Sequence, residues 1–178
     1  MSDLVRKIIK EALDFKNLPG IQRIGALDYE DNTRHIRFKS ILGPINLMID
    51  YLSEEENIKK VNGISLDNKN AFYAYWSVFD NLEQYTKSTY EILINIYKSI
   101  VEEIKMFIEE RHPDFMLIAG NLKKEEEQTF DLTQKGRIYK AIIEKHLSTI
   151  PGYSSIEKNI ENEKAFIICK KEMISEIK

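Results

Sequence analysis

The stretch from Ser88 to Gly120 limits what this chain can fold into more than any other. Tyr90, Leu93, Ile94, Tyr97, Ile100, Val101, Ile104, Phe107 and Ile108 recur at three- and four-residue steps. On a helix of 3.6 residues per turn they make one continuous apolar stripe, and such a face has to be buried. Ser88-Thr-Tyr-Glu91 has the spacing of a capping box at its start. His112-Pro113 ends it, because proline has no amide hydrogen to give and restricts the residue before it. Asp114-Phe-Met-Leu-Ile-Ala-Gly120 then reads as a strand covered on both faces. A helix over 88–111 spans about 36 Å at 1.5 Å per residue, enough to cross a whole sheet.

The flanking sequence supplies the strands for such a sheet. Arg23 to Tyr29 reads as a first strand and Asp31-Asn32 as a turn, and Arg34-His-Ile-Arg-Phe-Lys39 alternates charged with apolar residues as a half-exposed strand does. Gly43-Pro44 is expected to break the chain. Ile45, Leu47, Ile49 and Tyr51 then share one face of a third strand while Asn46 and Asp50 look outward, giving an antiparallel meander. Residues 53–70 form a polar excursion with Glu54-Glu-Glu56 beside Lys59-Lys60. Ala71 to Phe79 is the most aromatic segment and is β-prone by composition. It places Phe72, Ala74, Trp76 and Val78 on one face and Tyr73, Tyr75, Ser77 and Phe79 on the other.

After the Phe115 strand comes a charged loop over 121–131. Thr133 is expected to cap a second helix with Ile138, Tyr139, Ile142, Ile143 and Leu147 on its buried face. Pro151-Gly152 ends that helix and Ala165 to Cys169 supplies a last strand. The fold class that follows is α+β, a mixed, mainly antiparallel sheet with a long central helix and a second C-terminal helix packed on it. Leu4, Val5, Ile8, Ile9, Ala12 and Leu13 mark a short amphipathic helix ended by Asn17-Leu-Pro-Gly20. Residues 1–18 are therefore read as a terminal arm, either packed on its own domain or offered to another subunit, and 19–178 as a single domain.

Composition narrows the classes of function. With 178 residues, 43% hydrophobic and 31% charged, the chain is globular in character and large enough to bury roughly two thirds of its unfolded surface. A net charge of -3 with both signs interspersed offers no basic field for nucleic acid or an anionic membrane. The single cysteine, Cys169, excludes an internal disulfide and a cysteine-rich zinc cluster and fits a reducing cytoplasm. No secretory leader is read at the N-terminus, where charges recur every few residues, and no run approaches the ~18 apolar residues of a membrane span.

The usual catalytic signatures are missing. His35, His112 and His146 fall on three separate elements with no H-x-x-x-H or H-E-x-x-H spacing, so no metal site is expected. Cys169 lies in an apolar strand without an adjacent base, where a thiol is inert. There is no G-x-S-x-G elbow, and no glycine occurs between Gly63 and Gly120 to build a phosphate loop. Glu102-Glu103 and Glu109-Glu110 read as the solvent side of the long helix.

The order of meander, aromatic strand, long helix, buried strand, a helix bearing Arg137-Ile-Tyr139-Lys and then Gly152-Tyr153 resembles the C-terminal two thirds of the GNAT-type N-acetyltransferase fold. There an a-x-x-[IL]-Y…G-[FY] pattern follows the strand after the central helix. The resemblance covers about residues 34 to 170. It implies that the aromatic strand splays from the Phe115 strand and that a cofactor's pyrophosphate sits on amides at the start of the long helix. Where the family has [QR]-x-x-G-x-[GA], this chain has Asp80-Asn-Leu-Glu-Gln-Tyr-Thr-Lys-Ser88, with no glycine and with Asp80 and Glu83 opposing a pyrophosphate. Tyr139 matches the family's frequent general-acid tyrosine, although a tyrosine on an amphipathic helix also reads as core.

The chain is also similar to small uncharacterised proteins of tailed bacteriophages that carry an aromatic strand (here Phe72 to Phe79), a helix like Ile96 to Ile108, a strand like Phe115 to Ala119, and a segment like Arg137-Ile-Tyr139-Lys-Ala-Ile142. That similarity implies a virion-associated or host-interaction protein.

Three readings stand on this sequence. The first is a phage-type, non-enzymatic module acting through protein contacts, with a phage structural or host protein as partner, no cofactor, no metal, no membrane or nucleic acid, and room for a defined oligomer; its place would be the host cytoplasm or the virion. The alternative is a divergent acyl-CoA-dependent N-acetyltransferase in which Tyr139 protonates the departing thiolate. The third is small-ligand or nucleotide capture between splayed strands, with Tyr73, Tyr75 and Trp76 stacking on the ligand; a central strand between two layers explains the same aromatics.

Overall fold

The computed structural model describes residues 21–29, 33–52, 60–61, 64–65, 68–78, 87–120, 134–147, 149–160 and 163–177. In chain order these form strands β1 (Ile21–Asp28), β2 (Arg34–Ser40), β3 (Gly43–Tyr51), the two-residue strands β4 (Lys60–Val61) and β5 (Ile64–Ser65), and β6 (Ala71–Val78). Helix α1 (Lys87–Arg111), β7 (Phe115–Gly120), α2 (Gln134–His146), β8 (Tyr153–Ile160), β9 (Glu163–Lys170), a 3₁₀ turn (Lys171–Met173) and the single-turn α3 (Ile174–Ile177) follow. One mixed seven-stranded sheet has the order β1-β2-β3-β6-β7-β9-β8, and β4 and β5 make a separate hairpin. Every pairing in the large sheet is antiparallel except that of β6 with β7. The α+β class is therefore as the periodicities imply.

The apolar stripe of α1 is buried as its spacing requires. Leu93, Ile94, Tyr97, Ile100, Val101, Ile104, Phe107 and Ile108 join Ile36, Phe38, Ile45, Leu47 and Ile49 from the meander, Phe72, Ala74, Met116, Ile118, Phe166 and Ile168 from the central strands, and Ile142, Ile143 and Leu147 from α2. Both helices thus lie on one face of the sheet. The opposite face has a second, smaller cluster of Leu52, Ala71, Phe115, Leu117, Ile167, Cys169 and Ile177, closed by Met173 and Ile174 from the C-terminal turn and helix. Strand β7 contributes to both clusters, which is why its residues read as an unbroken apolar run.

Several boundaries differ from the sequence reading. Among the described residues helix α1 begins at Lys87, one residue before Ser88. Gly43-Pro44 does not break the chain but begins β3, with Ser40 opposite Gly43 and Lys39 opposite Pro44. The turn is Ile41-Leu42, where the Ser40 hydroxyl accepts from Leu42 N–H at 3.1 Å and donates to Gly43 O at 2.9 Å. Gly43 takes φ +114°, a conformation open to glycine and strained for other residues. Pro44 is tolerated because pairing of β3 with β6 begins only at Ile45.

Strand β8 and the C-terminal helix are absent from the sequence reading. β8 is the sheet's outer strand among the described residues, and its Ser154 to Lys158 are all half-buried, so it shows no alternating apolar face. Helix α2 ends at His146, before Pro151-Gly152, which instead turns the chain into β8, Gly152 at φ +82°. The expected arm at 1–18, the Asp31-Asn32 turn, the 121–131 loop and the Thr133 cap lie outside the described residues.

Glu103 requires a correction. It is 6% exposed rather than solvated and forms a short ion pair with Arg23 of β1. Its neighbours Glu102 and Glu109 are exposed as expected. Glu110 is also exposed, yet both its oxygens accept from Arg34 at 2.8 and 2.9 Å. Arg34 also donates to Asp28 at 2.6 and 3.0 Å and lies 5.1 Å above the Phe107 ring. The bonds to Glu110 and then to Asp28 outweigh burial and push the Arg34 pKa further up, so this guanidinium is a permanent cation pinning the first hairpin to the end of α1.

Candidate functional site

The parallel pair at the centre of the sheet is short. β6 and β7 pair over four positions, Ala71 with Phe115 through Ala74 with Ile118. Beyond that point β6 continues to pair with β3 as far as Val78 and β7 with β9 as far as Gly120, so each strand follows its own half-sheet and the two part. The wedge opens toward the carboxyl ends of the two strands. In open α/β sheets ligands are held at the carboxyl ends of the parallel strands, and this pair offers the same end. This is the splay implied by the GNAT resemblance. The segment bearing Asp80 and Glu83, at the start of α1, lies outside the described residues.

The closed end of the wedge is tied across three strands. Asp114 Oδ2 accepts from Asn70 N–H at 2.9 Å, Oδ1 accepts from Lys170 Nζ at 2.7 Å, and Asp114 N–H donates to Asn70 O at 2.7 Å. Lys170 N–H returns to Asp114 O at 3.2 Å, and the buried Tyr153 hydroxyl donates to Pro113 O at 2.8 Å. Burial works to raise the Asp114 pKa, but the Lys170 ammonium and the Asn70 amide win, and the carboxyl sits below its ordinary value. Burial pushes the Tyr153 phenol up to about 12, so it remains a donor.

Alternation along β6 separates the three aromatic candidates. Tyr75 is the first residue past the last β6–β7 pair and is 39% exposed. It stacks on Tyr73 with centroids 5.3 Å apart and planes at 25°, on the face opposite the helices. Trp76 points the other way, half-buried, with its ring 6.2 Å from that of Tyr97 at 65°. The structure therefore brings Tyr73 and Tyr75 together and leaves Trp76 with the core.

Tyr139 is placed in α2 by its backbone, and its side chain lies outside what is described. Lys140, next to Tyr139 in the chain, forms a short ion pair with Glu157 of β8, which pairs through Phe166 with Ile118, so this turn of α2 lies level with the last β6–β7 pair.

The remaining candidates stay apart. His35 Nε2 lies 3.3 Å from Asn46 Oδ1 on the meander, His112 is exposed just past α1, and His146 closes α2. Among the described residues no group of three metal-binding side chains converges. Cys169 is fully buried, which pushes its thiol up to about 11, consistent with an inert core residue. No described helix is long and apolar enough to cross a membrane.

Sequence reasoning missed Asp114 and Lys170 as a pair. The available signal was a charge at the start of one fully apolar strand and another at the end of the next, which antiparallel pairing of β7 with β9 brings together, since Phe115 pairs with Cys169.

No protein-family model matches the chain, and no curated protein matches its sequence. A solved structure does match: that of FeeM, an N-acyl amino acid synthase from uncultured soil microbes, aligned over 94% of this chain and 83% of FeeM with a TM-score of 0.39 and 11% identity. The comparison runs against the first reading, the non-enzymatic phage-type module acting by protein contact, which is set aside. The likeness is distant, and it leaves the tailed-phage similarity without support.

Proposed function

We propose that this chain is a divergent acyltransferase that moves an acyl group from a thioester to an amine. One observation carries the reading: a parallel pair that parts after Ala74 and Ile118 and leaves a wedge at its carboxyl end. An extended thioester arm laid in that wedge would take up ladder positions along β7 past Ile118, held by backbone hydrogen bonds as an added strand is. Bound there, the thioester supplies an activated acyl carbon. Tyr75, at the point of parting, and Tyr73 behind it would border the arm on the face away from the helices.

The transfer needs little further chemistry. The amine nitrogen bonds to the thioester carbonyl carbon, the carbon–sulfur bond breaks, and the amine gives up a proton to solvent. Tyr139 is assigned the role of giving a proton to the departing thiolate, which leaves as a thiol; the tyrosine is reprotonated from water. Because 80–88 offers carboxylates and no glycine, the strands rather than a diphosphate cradle would supply the hold on the donor.

Thermal shift separates these contributions, since a ligand that binds the native state alone raises the midpoint in a concentration-dependent way. S-acetylpantetheine should raise it, and acetyl-CoA at the same concentration should do little better. If neither ligand shifts the midpoint at millimolar concentration, the reading fails.

A further inference from the structure

The junction between the half-sheets is four pairs long, against six to eight for the other pairings of the large sheet. A short parallel junction is a weak place to fix an angle. The opening of the wedge must be set by what lies at its closed end. There a single side chain joins the entries to β6 and β7 to the end of β9: Asp114 precedes β7, accepts from Asn70 just before β6 at 2.9 Å, and accepts from Lys170 at the end of β9 at 2.7 Å. We infer that Asp114 is the positioning residue of the wedge, holding β6 against β7 at the apex so that the strands part at one defined opening. The inference rests on the acyl-transfer reading only for what the wedge receives.

Two features support a device for position rather than bulk stability. The Asp114 contacts are polar and directional, and they duplicate backbone bonds already present between the same residues, Asp114 N–H to Asn70 O and Lys170 N–H to Asp114 O. Doubling fixes rotation about a junction that one set of bonds would leave free to twist. Moreover, α1 packs over both half-sheets through one core, so the fold stays assembled without the clamp while the opening of the wedge loses its reference. Preorganising a site in this way improves affinity by removing alternative openings rather than by adding contacts.

The test compares the parent with Asp114→Asn, which keeps an oxygen acceptor of similar shape but discards the charge that holds Lys170. Spin labels at Ser77→Cys and Gly120→Cys stand on the two lips, while buried Cys169 is left unlabelled. The parent should give one narrow distance distribution and Asp114→Asn a broadened or shifted one. Amide exchange along α1 and the β2–β3 hairpin should be unchanged, and the dissociation constant for S-acetylpantetheine should rise at least tenfold. Lys170→Met, which leaves Asp114 in place, should act in the same direction and serves if Asp114→Asn does not fold. An unchanged distribution in a folded variant overturns the inference. If the parent binds no thioester, the acyl-transfer reading fails, yet the spin-label distances still decide whether Asp114 sets the opening.

Discussion

At its closed end the β6–β7 pair is bound by a carboxylate shared among three strands, a buried phenol and a continuous apolar cluster; past Ala74 and Ile118 the same two strands separate, and the first residue beyond is an exposed tyrosine. The ends differ in burial and in the direction of their contacts. Apolar burial is non-directional and stabilises in proportion to area, whereas the opening of a wedge is an angle, which directional bonds set better. The closed end therefore has to supply both stability and geometry, and the open end has only to remain accessible.

That contrast makes the largest expected effect a loss at the closed end. Phe115 is fully buried, opposite Ala71 in the ladder and Cys169 on the other side. Phe115→Ala should cost about 3–5 kcal/mol in urea-induced unfolding, the transfer of the ring plus the cavity left behind. A loss below about 1 kcal/mol would mean that the second cluster is not the keystone of the junction.

The next effect is in pH dependence, at the last turn of α2 that leads to Tyr153. Burial first, then the charges of Lys145, Lys98 and Lys105, push the His146 imidazole down to about 4. The unfolded chain takes up a proton near the ordinary value of about 6.5, while the folded chain does not until near 4. Stability should therefore fall as pH drops through this interval and stop falling on this account below it. His146→Gln should flatten the slope between those limits. An equally steep slope in the variant would assign the acid sensitivity elsewhere.

How much of this could be read from the sequence depends on whether a residue's role follows from local period or from pairing. The stripe of α1 and both faces of β7 are fixed by spacing, and the buried residues are those the spacing selects. Glu103 is legible by its spacing, three residues after Ile100 and four before Phe107 on the stripe itself, while the exposed Glu102 before it points to solvent. Its partner, Arg23, is 80 residues away, a separation no local pattern carries. β8 was not legible, because an outer strand with Ser154, Ser155, Glu157 and Lys158 has the composition of a loop; such charges are how edge strands avoid pairing with other chains. Asp114 and Lys170 sit at the boundaries of apolar runs, where a charge reads as an end signal, and only the β7–β9 register turns the two ends into a pair.

The smallest effect on stability should come from the open end, and it bears most directly on function. Tyr75 is 39% exposed and stacks on Tyr73, an arrangement worth about 0.5–1.5 kcal/mol beyond burial. Tyr75→Ala, which also uncovers the part of the ring that the fold buries, should cost about 1–2 kcal/mol in urea unfolding. Because the residue stands where β6 leaves β7, the same variant should weaken S-acetylpantetheine binding severalfold, measured by titration calorimetry at a temperature where both proteins are fully folded. Trp76→Phe, on the opposite face against Tyr97, should leave that affinity within about twofold. If the two substitutions reversed roles, the arm would lie on the helix side of the sheet, and Tyr75 would be an exposed aromatic that binds nothing.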